Sequence, residues 1–199
     1  MNGLDSGVWY AIAADHDLPR QGSLGHVYRT VLGGHELAVW RATDGSCQIW
    51  EDRCPHRGVR FSLGEVVGDE LRCQYHAWRF GKTGACTFIP AQPDMKVPGS
   101  IHARVWPVAE AGGLVWSGIA PVGRPPDLPT GAVVRAIPVA RPAAALAKAV
   151  ATAALPALAL TIQPLGPDAA MLRGIATDGD LARADLALVA LRRRLEDAA

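Results

Sequence analysis

No histidine follows His102 in this chain of 199 residues. Any site that needs an imidazole must therefore be built from the first half. Neither charge sign is in excess either. The formal net charge is +1, so no bulk field points to nucleic acid or to an anionic membrane as a partner. The opening stretch, Met1 to Tyr10, lacks the basic start and apolar run of a secretory signal. The longest uncharged apolar run, Ala149 to Leu160, is too short to span a bilayer and contains Pro156. Cysteines number four: Cys47, Cys54, Cys73 and Cys86. Without a secretion signal they are expected as reduced thiols or metal thiolates in a soluble, cytoplasmic protein. There is no internal repeat and no low-complexity tail.

What is present divides at about residue 120. Over residues 8–120, short apolar or β-branched runs recur between turn signals, which predicts a β protein built as a small sandwich or barrel. Strands are expected at Val8–Ala14, Gly25–Leu32, His35–Arg41, Gln48–Glu51, Leu71–Arg72, Ala85–Phe88, Val105–Val108 and Leu114–Ser117. Gly33-Gly34, Asp44-Gly45 and Lys82-Thr83-Gly84 suit tight turns, and Asp15 to Pro19 a loop. Residues 121–142 are Pro-rich and read as a linker or extended wrap. Beyond them a small α+β appendage is expected at 143–199. It comprises a helix at Ala143–Leu155 ended by Pro156, strands at Leu158–Leu165 and Ala169–Thr177, and a closing amphipathic helix at Asp180–Asp197. That last helix would bury Leu181, Ala184, Leu188, Leu191 and Leu195, with Arg192, Arg193 and Arg194 at its C-terminal end, where positive charge suits the helix dipole.

The chemistry lies in two short segments. Arg53-Cys-Pro-His-Arg-Gly58 offers Cys-x-His, and Arg72-Cys-Gln-Tyr-His-Ala-Trp78 offers Cys-x-x-His. Each loop supplies one thiolate and one imidazole, from Cys54, His56, Cys73 and His76. That is the ligand set of a Rieske centre, in which two His replace two Cys on one iron of a 2Fe–2S cluster. Neutral imidazoles leave such a cluster less negative than four thiolates would, so adding an electron costs less. A Cys2His2 set can also hold structural zinc. Zinc ribbons favour Cys-x-x-Cys knuckles, however, and zinc fingers carry their His pair on a helix, whereas here each loop mixes the two donors.

The flanking residues carry a resemblance. Cys54-Pro-His-Arg-Gly58, Ser62-Leu-Gly64, Cys73-Gln-Tyr-His-Ala-Trp-Arg-Phe80, Gly84-Ala-Cys86 and Ile89-Pro-Ala-Gln-Pro93 resemble the Rieske domain of ring-hydroxylating and demethylating oxygenases over about residues 7–120. The resemblance implies a Rieske domain at 1–120 carrying one 2Fe–2S cluster. Cys54 and Cys73 would hold the inner iron, and His56 and His76 the outer iron near the surface. It places Pro55, Gly58, Tyr75, Trp78 and Phe80 around the ligands. Ala77 stands where the family usually has Gly, which suggests a slightly tighter second loop. The respiratory and photosynthetic Rieske branch has an extra Cys in each loop, joined as a disulfide, and a Ser and a Tyr after the second His. Here Val59 and Gln74 offer no such Cys, and Trp78 and Phe80 no hydroxyl. A low reduction potential is therefore expected.

Arg53, Arg57, Arg60 and Arg79 would form a basic rim for partner docking, since no Asp or Glu interrupts Arg53 to Gly64. Cys47 and Cys86 are expected as ordinary thiols, and His16, His26, His35 and His102 as surface or locally bonded residues. The family's oxygenases also carry a mononuclear iron site of two His and a carboxylate. This chain cannot build one, although 158–199 faintly resembles the closing hairpin and helix of such a catalytic domain. The resulting expectation is an electron-transfer protein. It would take single electrons from a reductase or ferredoxin and pass them to a mononuclear-iron oxygenase on another chain. A structural subunit of such an oxygenase and a redox-sensing module are the alternatives.

Overall fold

The computed structural model describes residues 4–18, 27–153 and 155–197. Along the chain come β1 (Tyr10–Ala14), β2 (Tyr28–Leu32), β3 (His35–Arg41), β4 (Cys47–Glu51), β5 (Glu65–Val67), β6 (Glu70–Arg72), β7 (Arg79–Gly81) and β8 (Cys86–Phe88). Then follow β9 (Ala109–Ala111), β10 (Leu114–Ser117), β11 (Ala132–Val139), α1 (Ala143–Thr152), β12 (Leu158–Gly166), β13 (Ala169–Ala176) and α2 (Leu181–Asp197). The architecture is mainly β and antiparallel, as the sequence predicts. By packing, the chain divides into two compact units. One comprises Asp15–Thr30 and His35–Ala109, and the other Met1–Ala14, Val31–Gly34 and Glu110–Ala199.

In the first unit, a sheet of order β2-β3-β4 accompanies a meander of order β5-β6-β7-β8. The run Leu37-Ala-Val-Trp40 in β3 is buried without alternation, as befits a strand covered on both faces. Trp40, Trp50, Phe61, Leu71 and Phe80 are wholly buried. The rings of Trp50, Phe61 and Phe80 meet edge to face at centroid distances of 5.3, 6.4 and 5.1 Å, the arrangement aromatic quadrupoles favour. Cys54 and Cys73 belong to this same apolar cluster, so an aromatic floor lies beneath the loops that carry them.

In the second unit, sheets of order β1-β10-β9 and β11-β13-β12 occur. The helices bury Leu146, Ala184, Leu188 and Leu191 with Val134, Ile137 and Leu172 of the second sheet. Asp180 caps α2, its carboxylate accepting the Arg183 N–H at 3.0 Å. Arg141 donates to the Leu195 carbonyl at 2.8 Å, a cation at the helix's negative end. Arg173, 1% exposed, donates to the Gln163 side chain at 3.0 Å and to the Ile12 carbonyl at 2.7 Å. Gln163 donates to the Val31 carbonyl at 2.7 Å. Segments more than a hundred residues apart are thereby tied to one sheet.

Several expectations change. Residues 121–142 are not a linker throughout: 132–139 form β11, an edge strand whose Pro138 needs no ladder donor. The expected boundary at 120 does not separate packing units either, because β1 and β10 cluster with the C-terminal elements. The expected strand at Val105–Val108 shrinks to an isolated bridge, Trp50 with Val105, since Pro107 has no N–H to extend a ladder. The first helix ends at Thr152, ahead of the predicted stop. In α2 the apolar stripe begins at Ala184; Leu181, at the first helical position, is 48% exposed. Strands β5, β7 and β9 have three residues each and no apolar run that would announce them. The start of the strand expected from Gly25, Pro19 and His26 lie outside the described residues.

Candidate metal centre

The two candidate loops share one backbone plan. The first follows β4 and the second joins β6 to β7. In each, the cysteine N–H donates to the carbonyl five residues on: Cys54 to Val59 at 2.8 Å and Cys73 to Trp78 at 2.9 Å. The residue four positions on donates back to the cysteine carbonyl: Gly58 at 2.9 Å and Ala77 at 3.0 Å. Closing so tight a loop demands a left-handed residue at that fourth position, and φ is +73° at Gly58 and +55° at Ala77. Glycine accepts this freely, while alanine sacrifices about 1–2 kcal/mol. The matching hydrogen-bond lengths show that the second loop is not the tighter one. Ala77 adopts the glycine conformation instead.

Within each loop, the backbone N–H groups two and three residues after the cysteine point at its sulfur. His56 and Arg57 serve Cys54 in this way, and Tyr75 and His76 serve Cys73. Such donors favour thiolate and cluster-bound sulfur. The two thiols, each 3% exposed, are hydrogen-bonded to one another. That bond raises the Cys54 pKa, with burial adding to the rise, and lowers that of Cys73 against the effect of burial. Two thiolates this close repel, so both ionise only with a cation between them. The imidazoles of His56 and His76 lie with centroids 4.6 Å apart at the outer end, His76 exposed and His56 half-buried. Burial, then the neighbouring His76 and Arg57, lowers the His56 pKa, which favours the neutral form that binds metal.

The donors thus form two pairs, sulfur with sulfur and imidazole with imidazole. Two sulfurs at one end and two imidazoles at the other are the donor set that a two-iron cluster with two donors per iron takes.

The surrounding residues hold the pairs in place. The Trp78 indole stacks flat on His56, with centroids 4.0 Å apart and planes 7° apart. The exposed Tyr75 ring leans on His76 at 3.9 Å. Pro55 is exposed, and Phe80 is buried in the aromatic floor. Sequence reasoning missed two supports. Asp52, buried beside the first loop, accepts the Ser62 N–H and hydroxyl at 2.7 and 2.6 Å. Gly64 comes so near β6 that a Cβ would lie 2.3 Å from the Arg72 carbonyl. Nothing local marks Asp52, and the sequence shows Gly64 only as the end of Ser62-Leu-Gly64.

The basic rim is reduced. Arg60 pairs with Glu36 at 2.7 Å, an acid supplied by β3 rather than by the loop. Arg79 lies 3.8 Å from Glu70 and over the Phe88 ring. Among the described residues, the exposed Arg53 and Arg57 make no ion pair. Cys47 and Cys86 are buried and form no disulfide. Burial raises the Cys86 pKa. His16 lies near Asp17, His35 packs on Trp106, and His102 bridges to Ala85.

A family model described as the Rieske [2Fe-2S] domain matches residues 8–102. The oxidoreductase NdmD of Pseudomonas putida is 45% identical over 130 residues, which cover 65% of this chain and 21% of that protein. The 3-chlorobenzoate-3,4-dioxygenase oxygenase subunit of Comamonas testosteroni is 34% identical over 117 residues, 58% of this chain and 26% of that one. The chain therefore spans about a fifth to a quarter of these curated relatives. Among solved structures, NdmA of Pseudomonas putida CBB5 aligns with a TM-score of 0.74 at 17% identity, covering 96% of this chain and 81% of that one. Apo dicamba monooxygenase aligns at 0.71 and 19%, covering 98% and 87%. At such identities the likeness is one of fold, and it extends over both packing units.

Proposed function

Because residues 8–102 of this chain are a Rieske [2Fe–2S] domain, we propose that the protein is a one-electron carrier which serves a mononuclear-iron oxygenase on a separate chain and is charged by a reductase or ferredoxin. Cys54 and Cys73 hold the inner iron, and His56 and His76 the outer. When bound, the cluster supplies a one-electron couple without proton or group transfer. The observation that carries the reading is the division of donors: buried sulfurs within, paired imidazoles at the exposed edge. Trp78, stacked flat on His56, keeps that edge ordered, as tunnelling requires. Arg53 and Arg57 are the cations left to meet an acidic partner. A cytoplasmic location belongs to the same proposal, because thiolates that hold iron persist where thiols are kept reduced.

The relatives support partners of this kind, since they include an oxygenase subunit of a dioxygenase and the iron-sulfur subunit of a toluene-4-sulfonate monooxygenase system. The test is elemental and redox analysis of anaerobically purified protein. The expected result is about two irons and two acid-labile sulfides per chain, reducible by one electron. Zinc with no labile sulfide would overturn the assignment. Co-purification from the native host then identifies the donor and the acceptor.

A further inference from the structure

Two depressions meet at His56, and they differ in chemistry. On one side a pocket of about 370 Å³ is lined by Arg53, Arg57, His102 and Arg104, with Glu51 as its one acid. Arg104 pairs with that Glu51 at 3.1 Å, which leaves the two loop arginines uncompensated. On the other side a groove of about 510 Å³ contains no charged lining residue and is walled by Trp78, Ile89, Met95, Pro98 and Ile101, with both ligand imidazoles at its end. Met95 is 38% exposed. The exposed Asp94 and Lys96, which flank Met95 in the chain, offset one another in charge.

The groove is preformed. Its wall, residues 89–101, is a chain of turns closed by Gln92 to Ile89 at 2.9 Å, Met95 to Gln92 at 3.1 Å and Ile101 to Pro98 at 3.1 Å. Pro90, Pro93 and Pro98 stiffen it further. A partner side chain entering it meets little ordering cost, which is the condition for an apolar hot spot.

We propose that this groove and the adjoining arginines form one composite docking surface for an acidic electron-transfer protein, which seats an apolar side chain against Trp78 and Met95 while its carboxylates face Arg53 and Arg57. The charge asymmetry selects the partner: an apolar protrusion flanked by carboxylates matches both halves, whereas a basic protein matches only the groove. The inference rests on the electron-carrier reading and adds to it where the partner sits and what it carries. One electron passes from the donor to this protein, and no bond forms or breaks.

The test uses the holoprotein and two probes: a reduced acidic plant-type ferredoxin as donor, and the basic cytochrome c, in its ferric form, as acceptor from the pre-reduced protein. Variants are compared at equal iron and sulfide content. At low salt, Met95→Asp, Ala91→Glu and Arg57→Glu are each expected to slow electron transfer from the ferredoxin by about tenfold or more. Leu186→Asp, the same kind of change on the exposed face of α2, should leave the rate at the wild-type value. Loss in Arg57→Glu alone, with both groove variants at the wild-type rate, would overturn the groove and leave the electron-carrier reading standing. Faster exchange with cytochrome c than with ferredoxin at low salt would overturn the acidic partner. Failure of the wild-type holoprotein to exchange electrons with either probe would overturn both readings.

Discussion

At Ala77 a single methyl group sets a test of the loop geometry. Its φ of +55° is the conformation that Gly58 adopts in the partner loop. Ala77→Gly removes the left-handed penalty and returns part of the gain as unfolded-chain entropy. The expected net effect is stabilisation of up to about 1 kcal/mol, seen as a rise of a few degrees in Tm of the holoprotein. A lower Tm would show that the alanine methyl packs more favourably than it strains. The cysteines admit no such gradation. Cys54→Ser or Cys73→Ser should abolish cluster assembly, read as loss of labile sulfide, because each removes one of the two sulfurs that share the buried end of the site. Phe80 gives an electronic test. It is wholly buried and packs in one cluster with both cysteines. With no side-chain hydroxyl there, the wild-type potential is expected on the order of −100 mV. Phe80→Tyr should raise it by some tens of millivolts, about a tenth of the family's range, if its hydroxyl reaches a cysteine sulfur. Potentiometric titration decides; a wild-type potential above about +150 mV would mean that some other donor sets the cluster's electronics.

At the scale of elements, the first loop depends on contacts beyond itself. Asp52 ties its base to the turn at Phe61–Leu63 through the two Ser62 hydrogen bonds. Asp52→Ala takes the acceptor from both Ser62 donors in a half-buried place, a cost of about 1–3 kcal/mol for each one left unpaired, and should accelerate cluster loss in a chelator challenge. Unchanged retention would assign the Asp52 contact to the fold alone. Glu36 of β3 gives the matching pH prediction. The Arg29 hydrogen bond, and then Arg60, holds its folded pKa below the unfolded value. Its contribution is therefore present above the unfolded pKa and is lost as pH falls through the folded one. Glu36→Gln should flatten the fall in stability below about pH 4.5, to a small degree because the group is exposed. Denaturant titrations at pH 7 and pH 4 compare the two proteins.

At the scale of the molecule, the elements after residue 120 pack in one unit with the N-terminal strand β1. Arg173 and Gln163 hold the backbone of Ile12 and Val31 from within the β11-β13-β12 sheet. A fragment ending at residue 120 would leave the Ile12 and Val31 carbonyls without these donors and bare the apolar faces of β1 and β10. It should express as an aggregating or molten species. A fragment with the full chain's cooperative transition would show that the N-terminal strands need no support. These 199 residues, without a partner, should form no hydroxylated product from aromatic or N-methyl substrates with reductant and O2, because none of them after His102 is a histidine that could hold a mononuclear iron. Product formation by partner-free protein would refute the division of labour proposed above.

The sequence alone determined the candidate donor set, because metal ligation depends on residue type and short spacing. Cys-x-His and Cys-x-x-His can be read in a line, as can the turns at Gly33-Gly34 and Asp44-Gly45. All of these are local, spanning a few residues and one or two turns. Only the tertiary structure decided the rest. It brought Glu36 to Arg60 and so removed one cation from the expected rim. It turned part of the Pro-rich stretch into β11 by giving it β13 as a partner. It joined β1 to elements that follow residue 110, and it enclosed a groove between Trp78 and the turns of 89–101. Each of these pairings spans a long interval of chain, so residue propensity cannot announce it. Burial and hydrogen bonding select it only once the alternatives compete in three dimensions.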